Sequence, residues 1–90
     1  MTDNTKLSRR EGLMTADMSG STVMMDIMTG MYYDLGEVGG RIWELLEEPM
    51  TIDNLVKKLT AEYNVTASQC RTDILPFLNK LLERGLLLEA

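Results

Sequence analysis

The apolar residues change their spacing once along this chain, and that change constrains the fold more than any other feature. Before Gly36 they recur at every second position. Val23, Met25 and Ile27 share one face of an extended segment, and Asp26 points to the other. From Gly36 onward the spacing is helical, with Val38, Ile42, Leu45 and Leu46 on one side and Glu44, Glu47 and Glu48 on the other. Strands therefore come first and helices follow. Elements segregated in this way fold as α+β, with the helices on one face of the sheet. The expected architecture is a three-stranded antiparallel meander followed by three helices, a winged-helix-like shape with its wing placed first.

Punctuation divides the two halves further. Glu11 to Met18 alternates weakly, Ser19-Gly20-Ser21 turns the chain, and Thr22 to Met28 makes a second strand. Thr29-Gly30 turns it again into a third, Met31 to Leu35. Two registers are open. A two-residue loop puts Ile27 and Tyr32 on one face; a three-residue loop with a bulge groups Ile27, Tyr33 and Leu35, the more consistent apolar face. Gly39-Gly40 suggests that the first helix starts close against the sheet or frays, and Pro49 ends it. Thr51 opens a second helix with Leu55, Val56, Leu59 and Tyr63 as its stripe. Thr66, with Gln69 three residues on, caps a third, whose core stripe is Cys70, Ile74, Phe77, Leu78 and Leu81. Pro76 is expected to kink this helix, and Arg84-Gly85 to end it. Leu86 to Leu88 is a short apolar stretch able to pack or pair back. Residues 1–10 are polar and unpatterned and read as a flexible tail, leaving 11–90 as one domain.

Composition narrows the function. Nine basic residues against fourteen acidic give a net charge of −5 in 90 residues. That balance argues against nucleic acid and against an anionic membrane surface as partners. There is no histidine and one cysteine, Cys70. No internal disulfide, no His-based triad and no cysteine-built zinc site can be assembled, so neither a metal nor a cofactor is expected. Residues 1–12 carry no signal-peptide apolar segment, and the expected compartment is the reducing cytoplasm. A binding module is favoured over an enzyme.

The order of particular residues adds a resemblance. Gly30-Met31-Tyr32-Tyr33-Asp34-Leu35 is followed by Gly40-Arg41-Ile42-Trp43-Glu44-Leu45-Leu46. Then come Leu55, Leu59, Tyr63-Asn64-Val65, Asp73-Ile74, Phe77-Leu78, Leu81 and Gly85-Leu86-Leu87. Over residues 11–88 this resembles the PqqD-like precursor-peptide recognition elements, most of all the stand-alone type of lasso-peptide biosynthesis. Gly36, where the family usually has asparagine, and Glu47-Glu48-Pro49-Met50-Thr51 between the first two helices depart from the pattern.

The resemblance implies a non-catalytic adaptor. Such proteins bind the leader segment of a ribosomally made precursor peptide and present it to a leader-processing cysteine protease and an ATP-dependent macrolactam cyclase. The leader adds to the third strand beside the third helix. On this scheme Met31, Tyr32, Tyr33 and Asp34 supply the edge. Ile74, Leu75, Leu78 and Leu82 wall the groove, with Arg71 at its end able to pair with an acidic leader residue. The residues themselves support part of this, since a three-strand meander leaves its last strand with a free edge that can accept an extended peptide. Two other readings stay open: a winged-helix DNA-binding regulator, and a PqqD-type chaperone serving a radical maturation enzyme.

Overall fold

The computed structural model describes Thr2 and residues 4–89. The expected meander is present, as β2 (Leu13–Met18), β3 (Ser21–Asp26) and β4 (Tyr32–Leu35), paired antiparallel in that order. Three helices follow, α1 (Gly36–Leu45), α2 (Ile52–Glu62) and α3 (Ala67–Glu83). The fold is α+β.

Three more strands form a second antiparallel sheet, which the sequence reading lacked. In it β1 (Lys6–Arg9) lies between β5 (Met50–Thr51) and β6 (Leu87–Glu89). Lys6 to Arg9 is therefore not a frayed tail. Leu7 is fully buried, pairing with Met50 on one side and Glu89 on the other. A single apolar residue in a polar decapeptide has no period to read, and both of its partners lie more than forty residues away. Met1 and Asp3, part of the same expectation, fall outside the described residues.

The meander also presents the opposite face to the core. Met24 is fully buried and Asp26 is 3% exposed, whereas Val23 and Met25 lie outward and Ile27 is exposed beyond the strand end. Asp26 can be buried because Arg10 Nη2 sits 2.7 Å from its Oδ2. Met24 pairs with Tyr33 and Met25 with Tyr32, so Tyr33 and Leu35 turn inward and Tyr32 outward. The hairpin loop is Ile27–Gly30, longer than either expected form. The Asp26 N–H donates to Met31 O (2.9 Å) and the Gly30 N–H to Asp26 O (2.8 Å). Ile27 therefore does not join Tyr33 and Leu35.

The helices follow their sequence signals closely. The Thr51 and Thr66 hydroxyls accept the N–H groups of Asn54 and Gln69, each at 3.2 Å, and so cap α2 and α3. Helix α3 runs unbroken through Pro76. Gly85, at φ 71°, closes it, with its N–H bonded to Leu82 O and the Leu86 N–H to Leu81 O. Gly40 lets α1 lie directly on β3, since a β-carbon there would overlap the Thr22 side chain. Ile42, Trp43, Leu46, Leu55, Leu59 and Leu78 fill the core between sheet and helices.

Candidate functional site

Strand β4 is the last strand of its sheet. The Asp26 N–H bonds to Met31 O, and bonded positions alternate along an antiparallel ladder. Met31, Tyr33 and Leu35 therefore turn their backbone groups to β3. The N–H and C=O groups of Tyr32 and Asp34 point away from it. Among the described residues no strand pairs with that outer edge. The chain's own last strand could have sealed it, but it joins β1 instead.

Beside the open edge lies a groove of about 660 Å³. One wall is Met31 to Leu35; the other is the face of α3 that carries Asp73, Pro76, Phe77, Lys80, Leu81 and Arg84. These helix positions recur three or four apart and so stand above one another along one side of α3. The Arg84 guanidinium lies over the Tyr33 ring, 5.5 Å from its centroid. At the other end Phe77 and Leu35 both approach Gly39. Strand and helix thus run antiparallel along the groove. The Ser21 hydroxyl (2.6 Å) and the Gly36 N–H (3.0 Å) both donate to Asp34 Oδ1, and they hold its carboxyl below the usual value, the hydroxyl most strongly.

The residues selected from sequence divide between two places. Met31, Tyr32, Tyr33 and Asp34 line the groove. The five on α3 do not. Leu78 is fully buried and Ile74 is nearly so, both within the core, and Leu75 and Leu82 pack half-buried against it. Arg71 Nη2 is 3.6 Å from Asp53 Oδ1, which places that flank beside α2. The leucine-rich side of α3 is wide because it meets another helix. The groove wall is the opposite flank, where Phe77 packs half-buried against the core, as its place in the stripe predicts, and also lines the groove, beside Lys80 and Arg84, to which the sequence pattern gives no site. Their spacing was visible. What the sequence did not contain was which flank meets the sheet edge.

The site offers backbone pairing and a mixed apolar and charged wall. Burial pushes the Cys70 thiol up, away from the nucleophilic thiolate. Among the described residues no group of His, Cys, Asp and Glu side chains is arranged to hold a metal ion. Among the same residues no helix is long and apolar enough to cross a membrane.

An open-edged meander walled by a long helix defines a small α+β domain with a groove along its sheet edge, and comparison with known proteins gives it a family. The sequence pattern of the family described as coenzyme PQQ synthesis protein D (PqqD) matches residues 21–87. The chain belongs to the PqqD family. Among solved structures it is similar to TbiB1 in complex with the TbiA(beta) leader peptide. The identity there is 32% and the TM-score 0.77, over 89% of this chain and 93% of that one. It shares its fold with lasso peptide synthetase B1 complexed with the leader peptide, at 24% identity and a TM-score of 0.76, covering 91% of this chain and 96% of that one. Comparison with curated proteins gives no match.

Proposed function

We propose that this chain is a non-catalytic adaptor of lasso-peptide maturation. It binds the leader segment of a ribosomally made precursor by strand addition to β4, against α3. It then delivers the bound precursor to a leader-removing cysteine protease and an ATP-dependent macrolactam cyclase. Met31, Tyr32, Tyr33 and Asp34 form the edge of the site, and Phe77, Leu81 and Arg84 form its wall. The observation that carries the reading is the unpaired outer edge of β4 opening onto a groove. The likeness to TbiB1, which was solved with a leader peptide bound, supports it. Backbone bonds to the edge supply affinity without regard to sequence, and the groove selects alternate side chains.

Titration of the chain with fluorescein-labelled leader and core halves of a lasso precursor tests this. Saturable anisotropy with the leader half alone, and no covalent change in the peptide, is the expected result. Equal binding of both halves, or of neither, contradicts it. Co-purification of protease and cyclase with the leader-loaded chain tests delivery; failure of both to associate removes that part.

A further inference from the structure

The groove carries a gradient of charge along its length. At the Tyr33 end stand Lys80 and Arg84, one helical turn apart, and Asp73 stands at the other. Among the described residues no carboxylate forms an ion pair with Lys80 or Arg84; Arg84 lies instead over the Tyr33 ring. Elsewhere five of the seven other basic side chains are engaged, and the remaining two, Lys6 on β1 and Lys58 on α2, line no part of the groove. Arg10 meets Asp26, Arg41 meets Glu62 and Glu44, Lys57 and Arg71 meet Asp53, and Arg9 lies over Trp43. Where carboxylates outnumber cations, two uncompensated cations side by side on a groove wall are placed to meet a carboxylate from outside.

We propose that Lys80 and Arg84 read an acidic side chain of the bound segment, and that Asp73 reads a basic one, so that charge fixes the register of the leader on β4. The proposal rests on the leader-binding reading and adds the sequence pattern the leader must carry. The spacing follows from geometry. From Asp73, Lys80 is seven residues along the helix and Arg84 eleven, about 10 to 16 Å at the helical rise. An extended peptide covers that span in about three to five residues. Side chains facing the helix recur at even intervals, so the two charges stand four residues apart. A strand added antiparallel, as every pair in this sheet is, runs opposite to β4. Its C-terminal part then lies beside Tyr33 and Arg84, and the pattern reads basic-x-x-x-acidic from N- to C-terminus.

The test is selection of random dodecapeptides displayed on phage against the intact chain and against its K80E/R84E variant, whose fold is checked by circular dichroism. Selected peptides are then synthesised, and NMR shifts locate them. Wild-type selection is expected to enrich basic-x-x-x-acidic sequences. Replacing the acid by asparagine is expected to weaken binding by about tenfold, as is K80E or R84E alone. Replacing it by lysine is expected to restore binding to K80E/R84E. Peptides that shift Met31–Asp34 yet show no charge preference, or the reverse order, overturn this proposal and leave leader binding standing. Selected peptides that shift only α1 and α2 overturn the leader-binding reading itself.

Discussion

Asp26 is an unusual core residue, a carboxylate on the inner face of a small sheet. Arg10 beside it lowers its pKa most strongly, and the Met28 N–H adds to this, against a desolvation that raises it. A folded pKa below the unfolded one gives stability that is complete above about pH 4 and is lost as pH falls through the folded value. Asp26→Asn is therefore expected to lower the urea midpoint at pH 7 and to flatten its decline in acid. Midpoints that run parallel to wild type at all pH values would contradict this. The two adjacent glycines of α1 make a second pair of tests. A β-carbon at Gly40 would lie 2.5 Å from Thr22 Cβ, an atom anchored to the sheet. Gly40→Ala should destabilise by about 1–2 kcal/mol, since overpacking outweighs a helix-propensity gain of about 1 kcal/mol. At Gly39 the nearest neighbours are ring carbons of Phe77 at 2.9 Å, the far end of a side chain that can swing into the groove, with Leu35 Cβ next at 3.3 Å. Gly39→Ala should leave stability within about 1 kcal/mol of wild type and weaken leader binding instead. Unfolding curves and anisotropy titrations of the two variants separate these outcomes.

Two neighbouring residues show how α3 divides its work. Leu78→Ala should cost about 2–5 kcal/mol of stability, because Leu78 is fully enclosed. Phe77→Ala should cost less and remove much of the leader affinity, because Phe77 lines the groove. Similar losses of stability in both variants would deny the division. Strand β1 carries a further prediction: Leu7→Ala should also destabilise by about 2–5 kcal/mol, an effect no flexible tail would produce. What could be read beforehand follows the range of the interactions. The helices were legible because their caps, stripes and closing glycine are local: Thr51 and Thr66 bind backbone three residues on, and Gly85 closes α3. The β1 strand was not, since its partners Met50 and Leu87 to Glu89 are remote in sequence. The face of β3 was misread because alternation marks two faces without saying which is covered. Here a buried ion pair lets Asp26 go inside while Val23 and Met25 face outward. The free edge of β4 was legible from the order of elements. The helix side turned on which flank of α3 packs against α2.

For the molecule as a whole, topology decides what stays open. Sending the last strand to β1 completes one sheet and leaves the other with an unpaired border. The outer face of that sheet is apolar as well, with Met14, Met18 and Tyr32 (68% exposed) in the open. A peptide could in principle meet the protein there without touching the β4 edge, and the backbone distinguishes the two. Amide hydrogen exchange at Tyr32 and Asp34, read by NMR with and without saturating leader peptide, is the most direct measurement. Strand addition puts both N–H groups into new hydrogen bonds, so their exchange should slow together while that of Thr15 and Asp17 on β2 stays as it was. Saturated leader binding with unchanged exchange at Tyr32 and Asp34 would contradict the account.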